Sequence, residues 1–565
     1  MHHPLQGPPS APPALCAILD PHRGPLEPPV RSEIFGPQRF AQHGRSLGET
    51  HATDRARRGT PNFFPRLQDN IRTLREAQRY IGEQAASGYD ISPAAEWLID
   101  NFHLIEAQLK AIHEGLPHRY FRTLPMLVAP PLAGLPRVYG VAWAFVAHTD
   151  GAFDTALLTH FLSAYQETRP LNLNEMWALP TTLRVLLVEN LRRLAERVAT
   201  HKAAREAANL VCDAIDTYSL HGLDALRVLM DQRGAGVVFL SQMAQRLQGP
   251  VGTASASHLA RYQAWLHQAL PDLAATLTQH DADEAADNLS VSNAVTSLRA
   301  IGDADWSELI AACSPLMQQL LTSPIFRAEH PRTRDRTLYG IEALARRSGR
   351  SEREVAQTLL DLMAQAPPDS PAHAVARHWL QGSGRPALMR ALGLPDRLSR
   401  IGLLFKRELT LPLYLMALLV GTALALWWLQ THHAAAAPHA LWLRVGAFLL
   451  VAIPVSEAVV AVVNRLISES LRPAHLPRLA LAQGIPPAHR VLVVIPAMLT
   501  SLASVRELVH QLHLHALANP EPEAQFALLT DWVDADAATL SSDAPLLEAL
   551  QHAIAALNAR PDTPA

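Results

Sequence analysis

The sequence predicts a mainly α-helical protein in three parts: a large helical cytosolic domain, a two-helix transmembrane hairpin, and the incomplete start of an α/β domain. Three observations carry this. Apolar residues recur at helical spacing from about residue 65 to 393. Two runs with almost no charge lie in tandem between 409 and 463, and two β-branched apolar runs alternate with helical segments after 490. The 565 residues suit three or four domains at roughly 150 residues each. The boundaries read as a largely disordered tail over 1–60, the helical domain over 61–395, the hairpin over 396–472 and the α/β opening over 473–565.

Composition narrows the function classes. The 49 Lys and Arg against 52 Asp and Glu leave a net charge of −3, so no global basic field recruits nucleic acid. Charged residues make up 18% of the chain, below the ~25% of soluble domains, which places part of it in lipid. The cysteines Cys16, Cys212 and Cys313 are too far apart for a CxxC zinc site or a disulfide scaffold, as in a reducing compartment.

Nine of the first 30 residues are proline, a composition expected to form a mobile, partly polyproline-II tail that packs no core. It lacks the basic start and unbroken apolar run of a secretory signal, so the bulk of the chain is expected to begin in the cytosol. Beyond it, Leu67, Ile71, Leu74 and Ile81 repeat at helical spacing. Ser92-Pro93 reads as an N-cap with proline at the first helical position, followed by the stripe Leu98, Phe102, Ile105, Leu109 and Ile112. Leu183, Leu187, Leu191, Leu194 and Val198 form another stripe behind Pro180.

Leu409 to Leu429 is 21 residues without a charge, about 31 Å as a helix. Val445 to Val463 is 19 residues broken only by Glu457. Two buried core helices would show the same composition, but the tandem arrangement with Trp427, Trp428 and Trp442 near the ends reads as a membrane hairpin. Arg397, Arg400, Lys406 and Arg407 precede it, and Arg465 and Arg472 follow; the link between the spans holds His432, His433 and Arg444. That asymmetry predicts both flanks, and both termini, on the cytoplasmic side.

After the hairpin, residues 490–501 and 524–532 read as buried parallel strands, and 504–518 and 544–560 as helices. Strand–helix–strand–helix opens a doubly wound nucleotide fold, whose ligands sit beyond the carboxyl ends of the strands. Two strands do not make a sheet that stands alone.

The acidic segment after the second strand is the most informative candidate site. Asp531, next to Thr530 at the strand's end, is placed to hydrogen-bond a nucleotide base or ribose; an exposed capping loop is the plainer reading. Pro496, at the end of the first strand's apolar run, belongs to the same candidate nucleotide site. Asp534 and Asp536 form a D-x-D, the arrangement by which sugar-nucleotide transferases hold a divalent metal, though any acidic loop supplies one. His510, His513 and His515 share a helix, where chance clustering among 27 histidines competes with metal binding. Glu457 would either line a polar path or face the bundle interior. Gly382-Ser-Gly384 follows no strand and is no phosphate loop, and His148-Thr-Asp150 and Glu189 read as structural.

Longer strings carry a resemblance. RSEIFGPQRFAQHGRSL (31–47), SPAAEWLIDNFHLIEAQL (92–109), LPRVYGVAWAFVAHTDG (135–151), ALPTTLRVLLVENLRRLAE (178–196) and NLSVSNAVTSLRAIGDADW (288–306) resemble the N-terminal region of the cyclic β-1,2-glucan synthases. RTRDRTLYGIEALARRSGRSEREVA (332–356) is similar to the family's next block. VLVVIPAMLTS with FALLTDWVDAD resembles the start of its family 84 glycosyltransferase domain, a membrane-bound relative of the GT-A enzymes. The resemblance covers about residues 31–557, in order.

It implies a bacterial inner-membrane, UDP-glucose-dependent glucosyltransferase that polymerises glucose and cyclises it into osmoregulated periplasmic glucan. Matched by position, Asp531 is the acidic residue that contacts the nucleotide. The family's metal-binding D-x-D, catalytic acid and Q-x-x-R-W motif belong further along. Asp534 and Asp536 are therefore expected to be a decoy, no catalytic or metal residue is assigned in this chain, and divalent Mg or Mn is expected only for the complete enzyme. The expected partners are UDP-glucose, membrane lipid and the missing C-terminal portion as a separate chain. On this reading the chain is an N-terminal portion, truncated or split, that lacks catalysis alone. The alternative is a membrane-anchored helical scaffold, or split-subunit partner, without enzymatic activity.

Overall fold

Apolar spacing becomes helix through most of the chain, and the protein is mainly helical. The computed structural model describes residues 12–54, 63–248, 256–368, 370–395, 409–433, 441–470 and 476–560. Contacts divide the chain into two compact units, Met1–Gln319 and Leu320–Ala565.

The first unit is organised around one helix, Leu173–Asp213, 41 residues long. It starts at a capping box, in which Asn172 caps the first turn and the Glu175 side chain accepts the Asn172 backbone N–H at 2.9 Å. The helix runs uninterrupted through Pro180, which the apolar stripe predicts to lie ahead of it. Most of its first half is buried, so neighbouring helices hold it despite the hydrogen bond that proline removes. In its second half Ala199, Ala203, Ala204, Ala207 and Ala208 are all fully buried, and their small side chains let other backbones approach closely. Helices Phe63–Ala86, Arg137–His148, Gly236–Gln248 and Leu273–Asp303 pack around it.

The stripe after Ser92 is divided between two helices, Pro93–Asp100 and Phe102–Gly115. Ser92 caps the first as expected, but Asn101 has left helical geometry, with φ −104° and ψ 9°. Leu98, Ile105, Leu109 and Ile112 remain buried across that break.

The expected free tail is corrected where it can be seen; residues 1–11 and 55–60 lie outside the described residues. Leu15, Ile18, Leu19 and Val30 are buried, and Val30 N–H donates to Asn190 on the central helix at 2.7 Å. Helix Pro37–Thr50 then packs on Thr155–Thr168, burying Phe40 completely. Proline content lowers helix propensity locally, but it does not stop a few well-spaced apolar side chains from docking on a preformed surface.

In the second unit, helices Pro331–Ser348 and Glu352–Gln365 pair, followed by the short helices Ala376–Leu380 and Arg385–Ala391. Gly382 and Gly384 form the turn between that last pair and pack against His378 and Trp379. Helices Thr410–His433 and Leu441–Ser470, about 36 and 45 Å long, are each long and apolar enough to cross a membrane. They touch each other, with Tyr414 donating to Asn464 at 3.0 Å and Gly421 facing Val459. Trp427, Trp428 and Trp442 are exposed near the ends. Glu457 is exposed and does not line the groove between the helices, so it does not face the interior of this pair. Arg397, Arg400, Lys406, Arg407 and Arg472 lie outside the described residues.

The segment after the hairpin returns to the helical part of this unit. Leu479 bridges to Glu329, His330 N–H donates to the Arg478 carbonyl and Ala480 N–H to the Ala328 carbonyl, each at 2.8 Å. Glu329 is 4% exposed, and its Oε2 has no hydrogen-bond partner. Burial pushes its carboxyl up to about 7, against partial relief from the Arg334 charge. The folded state therefore holds a proton that the unfolded chain has released. The stability this supplies is complete below the ordinary carboxylate range and is lost as pH rises through about 7. Glu329→Gln is expected to remove the dependence and to strengthen this junction at pH 8 by about 2 kcal/mol. Hydrogen exchange of the amides around Arg478 and Ala480, followed against pH in both proteins, checks it; identical profiles would contradict the assignment.

Candidate functional site

The unit following the hairpin is a parallel strand pair with a helix between its strands. Val491–Leu499 pairs in parallel with Ala524–Trp532 over nine residues, from Val491 opposite Ala524 to Leu499 opposite Trp532. Helices Leu502–Ala518 and Asp543–Asn558 follow the two strands. Ser501 forms the first helix's N-cap, accepting the Ser504 N–H at 3.2 Å. These four elements match the expected segments to within two or three residues, because each is specified by a short local pattern.

The strands are less buried than expected. One face meets the two helices through Leu499, Leu528 and Trp532, which pack with Val505, Leu546 and Leu550. On the opposite face Leu492, Val494, Met498 and Leu529 are 60, 43, 52 and 63% exposed. The continuous apolar run suits a strand covered on both sides, and the residues described here cover one.

Register decides which candidate residues come together. Met498 lies opposite Asp531, Pro496 opposite Leu529 and Ala497 opposite Thr530. Paired residues share a face and successive residues alternate, so Asp531 and Pro496 lie on the open face while Thr530 lies on the helix-covered one. Asp531 is exposed at the carboxyl end of its strand, and its Oδ1 accepts the Trp532 N–H at 2.8 Å. Asp534 and Asp536 are exposed in the loop beyond it, which closes where Leu540 N–H donates to Asp543 at 2.7 Å.

At the same carboxyl edge stand Thr500, Ser501 and Ser504, which the sequence reading passed over. Ser504 Oγ accepts from the Thr500 and Ser501 backbone N–H groups at 3.3 and 3.0 Å. The signal for them is a serine two residues after the strand with another three residues on, the spacing of a capping box. This edge offers a carboxylate and hydroxyls at the position where doubly wound sheets take nucleotides. Among the described residues, no three His, Cys, Asp or Glu side chains are grouped to hold a metal ion, and this includes His510, His513 and His515.

In the first unit, Glu189 is 3% exposed and accepts from Arg66, Arg193 and Tyr139 at 2.7, 2.6 and 3.0 Å. These donors hold its carboxyl below the usual range despite burial. Asp150 is also buried, accepting from Ser290 at 2.6 Å, with φ +50°. Both carboxylates organise the helical unit.

No family model matches the chain. Over 548 residues, 94% of its length, it is 30% identical to the cyclic β-(1,2)-glucan synthase NdvB of Rhizobium meliloti (strain 1021). The chain spans 19% of the length of that relative.

Proposed function

The chain belongs to the cyclic β-(1,2)-glucan synthase family, and on that premise we propose that it supplies the cytosolic and membrane-anchoring part of a UDP-glucose-dependent glucosyltransferase together with the opening strands of its GT-A-like domain. The identity extending through nearly all of the chain carries this reading. The order of parts supports it: two membrane-length helices, then a parallel strand–helix–strand unit with Asp531 at the carboxyl edge. The product would be a periplasmic cyclic glucan, so a membrane-embedded enzyme with a cytosolic sugar-nucleotide site is chemically reasonable.

Asp531 contributes the nucleotide contact in this proposal, with Pro496 on the same face and Thr530 behind it. Asp534 and Asp536 remain solvent-facing loop carboxylates, and a divalent Mg or Mn, where used, is held by residues elsewhere in the enzyme. With the rest of the enzyme supplied, Asp531→Asn is expected to weaken UDP-glucose binding roughly ten- to a hundredfold, the effect of losing a charge-assisted hydrogen bond worth about 1.5–3 kcal/mol. Asp534→Asn and Asp536→Asn should leave affinity and metal dependence unchanged. Loss of metal-dependent turnover in Asp536→Asn beside a silent Asp531→Asn would reverse the assignment.

The hairpin is proposed to place both flanks in the cytoplasm of a bacterial inner membrane. A reporter fused after Gln430 is expected to read as periplasmic and one fused after Arg472 as cytoplasmic; the opposite pattern would refute the orientation. The second reading, a non-catalytic membrane-anchored scaffold or split-subunit partner, is favoured by the exposure of all three Asp carboxylates. Glucan formation that requires this chain but tolerates Asp531→Asn would favour it.

A further inference from the structure

The helical unit contains a cleft that the transferase reading does not use. It measures about 280 Å³ and lies between helices Phe63–Ala86 and Arg137–His148 where both meet the central helix. Tyr139, Trp143, Leu132, Asn70, Arg66 and Glu189 are among the residues that line it. Its polar groups are held in place. Glu189 fixes the Tyr139 hydroxyl and the Arg66 guanidinium, and Asn70 Oδ1 accepts from Arg192 at 3.1 Å. The aromatic wall is fixed too, with the Tyr139 and Trp143 ring centres 6.2 Å apart and Arg193 lying 5.5 Å over the Trp143 ring.

The chemistry of this lining selects a ligand class. Among the described residues Arg66, Arg192 and Arg193 are each paired with Glu27, Glu189 or both, so none of these three is left free to attract a phosphate. The volume is near the lower end for small-molecule sites and accommodates one six-membered ring. A pyranose matches both features. Its C–H face packs on an aromatic wall, while its hydroxyls reach planar amide, guanidinium and carboxylate groups that already have fixed orientations.

We propose that this cleft binds one glucose unit of a linear β-1,2-glucan chain, tethering the chain on the helical unit; the choice of glucan rests on the family reading. Mostly pre-bonded polar groups lose little freedom when a neutral ligand arrives, so the site suits a weak, exchangeable hold on a polymer.

The test uses the full chain in lipid nanodiscs. Calorimetry and tryptophan fluorescence follow titration with a linear β-1,2-linked glucotetraose, with a β-1,4-linked glucotetraose alongside. Saturable binding of the β-1,2-linked sugar is expected, weakened at least about tenfold by Trp143→Ala and by Leu132→Trp. The second change fills the cleft without removing a polar group, and an unchanged thermal melt shows that its fold is intact. Absence of saturation at millimolar sugar, or equal binding by a folded Leu132→Trp protein, would overturn the proposal. Glucose incorporation by the reconstituted enzyme separates the two readings. Synthesis without oligosaccharide binding sinks the cleft alone, whereas cleft-dependent binding without synthesis upholds the cleft and counts against the transferase reading.

Discussion

Glu175→Ala is expected to destabilise the helical unit by about 3–5 kcal/mol, among the largest effects of any single substitution in this chain. Glu175 is fully buried and Arg137 is 4% exposed. They form a two-pronged pair, with Arg137 Nε donating to Glu175 at 2.8 Å and Nη2 donating to its second oxygen. Arg137 Nη2 also reaches the Pro170 carbonyl at 3.1 Å, and Glu175 closes the capping box at the start of the central helix. Truncating the acid leaves a guanidinium in a dry interior and removes the helix cap together, two penalties that fall on one element. Replacing both partners by apolar residues should cost much less than the sum of the single changes, because no unpaired charge remains. Hydrogen exchange along residues 173–213 in the full-length protein measures this. Additive single and double variants would show that the pair is not coupled.

Gly44→Val is expected to release helix Pro37–Thr50 from its partner, at a cost of about 3 kcal/mol. A Cβ on Gly44 would stand 2.8 Å from the Phe161 carbonyl oxygen and 3.2 Å from the Tyr165 amide nitrogen. Both obstacles are backbone of helix Thr155–Thr168, so no rotamer change relieves them. One turn on, a Cβ at Gly48 would meet the Tyr165 carbonyl at 3.0 Å. The helix must lift away, and lifting exposes Phe40, whose side chain is completely buried between Phe145 and Phe161. Faster proteolysis within residues 37–50 is the expected readout. Gly36→Ala is the control, since a Cβ there meets open space; equal proteolysis in the two variants would show that close helix approach is not what holds this segment.

The sequence by itself determined whatever a short window encodes. Helical spacing specified the helices, and the uncharged runs around Val420 and Val451 specified two membrane-length segments. β-Branched runs punctuated by Thr500-Ser501 and Thr530-Asp531 located the parallel strands to within two residues. These signals are local because backbone hydrogen bonding and side-chain periodicity repeat over only a few residues. Long matching strings such as 135–151 and 288–306 carried the family in the same way.

Tertiary structure alone decided the long-range partnerships. Nothing local to Gly44 or Phe40 announces a helix more than 100 residues away, so a proline-rich stretch read as a tail although its described part docks. Pro180 looked like a helix boundary because propensity is summed over neighbours in sequence, whereas the burial that carries a helix through it is summed over neighbours in space. The candidate site shows the same division. Sequence placed Thr530 and Asp531 at a strand end and Pro496 at the end of an apolar run, which the structure sets inside the strand Val491–Leu499; only the register put Asp531 and Pro496 on one face and Thr530 on the other. A one-residue slip reverses every face, and register is set by packing against elements distant in sequence. Glu189 and Asn70 came to one cleft for that reason: the helices that carry them meet only when the core forms.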